Sequence, residues 1–211
     1  MNIAVFGATG RTGRRVVRRS LDDGHHVTAV VRTPSKLDVN HDRLTVEQGD
    51  VTNYDSFADT LQGSDAVVST IGKESVLGRV SLYSDGITNI IQAMTEHDVS
   101  RLIAISSGGT YPGWDSNNAV FYELLIKRVL LRRVYADMKR MEDIVVETDL
   151  DWTIVRPSGL SDDTGSGNYR ATVGYSDPES STTTRDDLAE FIVEELDSGQ
   201  FLQQGVAVVT V

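Results

Sequence analysis

An α/β fold, a doubly wound Rossmann-type parallel sheet with helices on both faces in a single domain, is the architecture this sequence predicts. Three observations predict it. Short apolar, β-branched runs recur along the 211 residues with helix-length segments between them. The first run opens into a turn with glycines at three-residue spacing, and the length suits one well-filled core.

The strands fall at Ile3–Phe6, Val27–Val31, Leu44–Glu47, Ala66–Ser69, Leu102–Ile105, Thr153–Val155 and Val206–Val209. These are continuous apolar runs rather than alternating ones, as expected where helices cover both faces. Helices are expected over Gly13–Asp23, Tyr54–Leu61, Ser81–His97, Tyr122–Thr148 and Arg185–Leu196. Thr184 suits the N-cap of the last of these, with Asp186 and Asp187 in its first turn. Gly, Ser, Asp and Pro cluster at Gly108–Asn118 and Ser158–Thr183, which read as loops. They follow the fifth and sixth strands, at the carboxyl edge where doubly wound sheets bind ligands.

Composition excludes several classes. There is no cysteine, and His25, His26, His41 and His97 show no ligand spacing, so no metal site is expected. A net charge of −11 argues against nucleic acid, whose binding rests on basic surface. No apolar run reaches membrane-spanning length and Met1 leads straight into the first strand, so the expectation is a soluble, cytoplasmic protein without a membrane partner, a monomer or weak homo-oligomer. Lysine occurs only at 36, 73, 127 and 139 while aspartate is abundant, a bias that suits a high-salt cytoplasm as well as an ordinary acidic surface.

The turn Gly7-Ala-Thr9-Gly10-Arg11-Thr12-Gly13 has the form of a dinucleotide-binding loop. The bend needs backbone freedom, a pyrophosphate needs unobstructed amides, and the helix behind needs a small residue against the sheet. The second strand ends in Arg32, where an NAD site usually offers a carboxylate. With Lys36 and Arg11 it would form a cationic clamp for a 2′-phosphate, which favours NADP(H) and leaves NAD(H) open. Asp50 and Val51 would meet the adenine, although Asp50 also suits a local turn cap. Thr70, Ile71 and Gly72 follow the fourth strand, where the ribose would pass. Ser106 and Ser107 end the fifth. Ser107 is the first choice for contact with the reacting group, against the alternative that it only forms a turn. Tyr135 and Lys139 have tyrosine–lysine spacing on a helix, which also arises on an exposed charged face.

In order, Gly7-Ala-Thr-Gly-Arg-Thr-Gly13, Val-Val-Arg32, Gly49-Asp-Val51, Asp65-Ala-Val-Val, Ser106-Ser107 and Leu150-Asp-Trp-Thr-Ile-Val-Arg-Pro157 resemble an atypical short-chain dehydrogenase/reductase. The chain is most similar to the NmrA-like NAD(P)H-binding family that includes flavin reductases of the biliverdin-IXβ reductase type. In many relatives a helix lysine stands at a fixed interval before the Thr-Ile-Val-Arg-Pro strand; here that place holds Met138, and Tyr135–Lys139 is out of register. The resemblance implies a dinucleotide site that includes Ser106 and Pro157, Ser107 at the nicotinamide, and Met138, Trp114 and Ser158 beside an acceptor, with Tyr111 and the stretch near Tyr169 as further wall. Met138 cannot donate a proton. A flavin, quinone or linear tetrapyrrole can take its proton from water, so the expected function is NADPH-dependent hydride transfer to such a planar small molecule. Two alternatives stay open: a non-catalytic NADP(H) sensor with a protein partner, and a nucleotide-sugar epimerase or dehydratase using Tyr135 and Lys139.

Overall fold

The computed structural model of the chain describes residues 1–72, 80–111, 131–175 and 180–211. Seven strands run parallel: β1 (Asn2–Phe6), β2 (His26–Val31), β3 (Leu44–Gln48), β4 (Ala66–Ser69), β5 (Arg101–Ile105), β6 (Asp151–Pro157) and β10 (Gln204–Thr210). An eighth, β8 (Tyr169–Val173), joins antiparallel, giving the order β3-β2-β1-β4-β5-β6-β10-β8. Among the described residues four helices flank the sheet: α1 (Arg11–Asp22), α2 (Leu82–Glu96), α3 (Arg132–Val146) and α4 (Arg185–Ser198).

Strand alternation decides which helices lie on which face. Ile3 and Val5 of β1 pack with Val16, Val17 and Leu21 of α1 and with Leu188 and Ile192 of α4. Ala4 and Phe6 turn the other way, to Ile87, Ile90 and Met94 of α2 and Met141 and Val145 of α3. Both faces of the sheet's inner strands are therefore buried, which is why those strands read as unbroken apolar runs. α1 stops where Gly24 takes φ +91 and donates its N–H to the Leu21 carbonyl at 3.1 Å, a left-handed cap. α4 begins as expected, Thr184 Oγ1 accepting from the Asp187 N–H at 3.1 Å.

Two expectations are corrected. Residues 54–61 form no α-helix but two 3-10 turns, Tyr54–Ser56 and Ala58–Leu61. Phe57 between them is buried against Phe6 with ring centroids 5.0 Å apart, and the Ser56 hydroxyl accepts from the Asp50 N–H and donates to the Asn53 carbonyl. Those local and tertiary bonds compete with a helical ladder. The segment read as a loop over Ser158–Thr183 contains β8 and a separate pair, β7 (Gly159–Ser161) on β9 (Thr182–Thr184). β8 takes the free edge of β10, which satisfies backbone groups that a loop would leave to solvent. Of the helix expected over Tyr122–Thr148, Arg132–Val146 is observed; its start, and Trp114, lie outside the described residues.

Candidate functional site

The glycine turn sits at the carboxyl edge of β1 and is built against Thr70. Gly7 takes φ +79, and a Cβ there would stand 2.6 Å from the Thr70 carbonyl oxygen. A Cβ on Gly13 would stand 2.3 Å from the Gly7 carbonyl oxygen and 2.6 Å from Thr70 Oγ1. Neither position admits a side chain. Gly10 closes the turn by donating its N–H to the Gly7 carbonyl at 2.9 Å. Thr70, expected to face a ligand, instead donates its hydroxyl to the Phe6 carbonyl at 2.8 Å and forms the floor beneath the glycines. Gly10 is the N-cap of α1 without a side-chain cap, and no acid stands in the first turn. The amides of that turn and the positive end of the helix thus face the opening, with half-buried Thr9 and Thr12 at its rim.

Arg32 and Lys36 are both exposed where β2 ends, and neither side chain is paired among the described residues. Their neighbours are committed: Arg14 and Arg18 lie 3.4 and 3.9 Å from Asp38, and Arg14 also donates to the Lys36 carbonyl. Arg11 does not complete the expected clamp. Its guanidinium is drawn to Asp162, just beyond β7, toward α4. Asp50 makes the local cap foreseen as its alternative role, one oxygen accepting from the Thr52 N–H at 2.9 Å and hydroxyl at 2.8 Å. Val51 and Ile71 converge on Gly86 of α2, where a Cβ would meet Val51 Cγ2 at 3.1 Å and Ile71 Cδ1 at 3.3 Å. A Cβ on Gly72 would meet none of the described residues within 4 Å.

Beyond β5 the two serines part. Ser106 is buried and donates to Glu142 Oε1 at 2.6 Å, so its side chain belongs to the interior and not to a ligand site. Ser107 is half-buried; its oxygen accepts from the Gly109 N–H at 3.1 Å, capping a 3-10 turn over Gly108–Thr110. The capping bond uses the oxygen and leaves the hydroxyl proton to another acceptor. Tyr135 is not on an exposed face: its ring lies against Gly109, where a Cβ would stand 2.3 Å from Cζ and 2.7 Å from Oη. The phenol is thereby brought beside the Ser107 turn. Lys139 extends along α3 to Asp143, whose hydrogen bond holds the ammonium's pKa above its ordinary value. Met138 packs into the apolar layer between α2, α3 and the sheet, so it is core as much as wall.

Beneath this turn lies a buried ion pair that the sequence did not single out. Glu142 is 1% exposed and meets Arg156 through Nε at 3.0 Å and Nη2 at 3.1 Å, while also accepting from Thr110 at 3.0 Å. Arg156 donates to the Gly174 carbonyl at 2.9 Å and lies 3.9 Å from the centre of the Tyr175 ring, which in turn is 5.4 Å from Tyr111. One ion pair thus joins α3, β6, the Ser107 turn and residues 174–175. The adjacent glycines 108 and 109 were its only local signal, since paired glycines mark close approach. Pro157 is buried at the end of β6, and the Ser158 N–H donates to Thr183 Oγ1 at 3.0 Å. Tyr169, expected near the acceptor wall, is turned onto α4: its hydroxyl bonds Glu194 and its ring meets Phe191 edge-on at 5.8 Å.

Comparison with known proteins places this geometry among relatives. A family model described as NAD(P)H-binding matches residues 7–199. An uncharacterized chloroplastic protein of Arabidopsis thaliana is 28% identical over 209 residues, covering 92% of this chain and 71% of that one. A Bacillus subtilis protein, YhfK, described as an uncharacterized sugar epimerase, is 25% identical across 93% of this chain and 88% of its own. Among solved structures, the oxidoreductase ylbE from Lactococcus lactis superposes with a TM-score of 0.84 at 20% identity, covering 100% and 91% of the two chains. A candidate NADH-flavin reductase from Streptococcus pneumoniae gives 0.82 at 22% identity over the whole of both chains. At these identities the structural likeness shows a shared fold.

Proposed function

Because the chain belongs to the NAD(P)H-binding family, we propose that it is an NADPH-dependent oxidoreductase that passes hydride to a planar acceptor such as a flavin, quinone or linear tetrapyrrole. The observation that carries the reading is one of placement. An uncapped helix end near cations that are unpaired among the described residues, and a half-buried serine hydroxyl on a turn packed against the Tyr135 ring, occur at one edge of one sheet. The cradle fits a dinucleotide, since Gly7 and Gly13 have no room for a side chain and the α1 amides have no competing cap. The cofactor, when bound, supplies the hydride.

The chain's own residues then have separable tasks. The turn Gly7, Thr9, Gly10, Thr12 and Gly13 holds the pyrophosphate. Arg32 and Lys36 select the 2′-phosphate, and Asp50 keeps an oxygen for the adenine amine while Val51 packs beside the ring. Ile71 and Gly72 let the ribose pass. Ser107 donates its remaining proton to the carboxamide or to the acceptor oxygen, with Pro157 and Ser158 bounding the pocket. The aromatic walls exclude water and stack the acceptor, where positioning matters more than a tuned acid.

Oxidation of NADPH and NADH followed with FMN, FAD, biliverdin and menadione tests the reading. Turnover with NADPH is expected, and Arg32→Ala should raise the NADPH KM about tenfold, the cost of one charge-assisted contact, with NADH unchanged. Tight NADPH binding without oxidation by any acceptor would overturn it in favour of a sensor. The nucleotide-sugar alternative draws on the likeness to YhfK and on Tyr135, but Lys139 is engaged by Asp143. Unchanged turnover in Tyr135→Phe removes that alternative.

A further inference from the structure

Asp162 has an unusual position for a carboxylate beside a site for phosphates. Its Oδ2 accepts from Arg11 Nη1 at 2.5 Å, while its Oδ1 lies 3.0 Å from Arg185 Nη1 and 3.6 Å from Arg15 Nη1. Three guanidiniums surround one carboxylate, and among the described residues only Arg15 has a second acid, Asp186. The three differ in freedom. Arg185 is 8% exposed, its Nη1 within ion-pair distance of Asp162 but not oriented for a hydrogen bond. Arg11 is 69% exposed and is the first residue of α1, next to the uncapped N-terminus. The cluster holds the Asp162 carboxyl below its usual range, Arg185, Arg11 and Arg15 together outweighing the opposing effect of burial.

We propose that Arg11 exchanges partners: the pyrophosphate of the bound dinucleotide takes its guanidinium from Asp162, which stays held through Oδ1 by Arg185 and Arg15. The exchange is electrostatically balanced. Asp162 loses its most exposed partner and keeps its buried one, while the arriving anion gains a guanidinium already at the mouth of the helix dipole. Asp162 therefore lowers cofactor affinity by competition and keeps Arg11 ordered, without loosening the junction of β7 with α4. The inference rests on the family's dinucleotide cofactor but not on what the hydride reduces, so binding alone tests it.

Isothermal titration of NADPH and NADH into the wild type, Asp162→Asn, Arg11→Gln and the double variant reads the exchange. Asp162→Asn should bind both cofactors about two- to fivefold more tightly, the range for releasing an exposed ion pair. Arg11→Gln should weaken both, and the double variant should bind no better than Arg11→Gln. An equal gain from Asp162→Asn in both backgrounds would mean simple removal of a nearby negative charge, and overturns the exchange. So does no gain, or coupling confined to NADPH, which would assign Arg11 to the 2′-phosphate. Should Asp162→Asn fail to fold, the wild type answers directly by NMR. The Arg11 Nε–Hε resonance should move on adding NADP(H) while that of Arg185 stays, and an unmoved Arg11 resonance overturns the proposal.

Discussion

A single methyl group separates a residue that shapes the cofactor turn from one that merely lines it. At Gly13 the added carbon meets backbone, the Gly7 carbonyl at 2.3 Å, and the Thr70 hydroxyl, which is itself bonded to Phe6. Neither can withdraw without opening β1 from β4. Gly13→Ala should therefore cost about 1–3 kcal/mol, the usual range for overpacking, and raise the NADPH Kd at least tenfold. At Gly72 the same carbon meets no described residue within 4 Å and φ is not in the left-handed range, so Gly72→Ala should leave the urea midpoint unchanged. Urea unfolding and fluorescence titration of NADPH check both. The contrast also marks what was legible in the sequence. Gly7, Gly10 and Gly13 could be read because their constraint is local, a strand and a helix meeting within six residues. Arg11 could not be placed, because its partner Asp162 lies just beyond a strand, β7, that the Gly- and Ser-rich composition concealed.

Between elements, the decisive contacts are charges that no window of sequence links. Glu142 and Arg156 are 14 residues apart on α3 and β6, with side chains 1% and 10% exposed, and they also fix Ser106, Thr110 and Gly174. Removing the acid by Glu142→Ala leaves a buried guanidinium without its counter-charge. A loss of about 3–5 kcal/mol in unfolding free energy is expected from urea denaturation, the cost of breaking a buried pair by one partner. The sheet itself was legible: the inner parallel strands are apolar runs, since burial on both faces imposes such runs whatever the loops do, and the edge strand β3, Leu44–Gln48, keeps only Leu44 and Val46 against the core. Where tertiary contact outweighs local preference the reading fails, as at Phe57, whose burial against Phe6 replaces a helix by two tight turns. Tyr135 fails for the related reason that its helix face is set by Gly109, a residue 26 positions earlier, and not by the charges around it.

For the whole molecule, charge acts in two opposite directions. The net charge is −11, yet five of the 20 basic residues stand on α1 alone, at 11, 14, 15, 18 and 19, each within ion-pair distance of an acid. Elsewhere the acids are in excess and repel one another, which destabilises the folded state until salt screens them. Raising KCl from 0.1 to 1 M shortens the screening length from about 10 to about 3 Å, so the urea midpoint should rise over that range. Exposed ion pairs weaken under the same screening, but each is worth only about 0–1 kcal/mol, less than the relief of an excess of eleven negative charges. The cofactor responds the other way. Arg32 and Lys36 are exposed cations, so the attraction they exert on a 2′-phosphate falls as salt rises, and the NADPH Kd should increase. NADH lacks that phosphate, and its Kd should increase less. Unfolding and titration at matched salt separate the two effects. A midpoint that falls with KCl would show that surface pairing rather than self-repulsion dominates the fold, and equal salt slopes for the two cofactors would show that Arg32 and Lys36 do not read the phosphate.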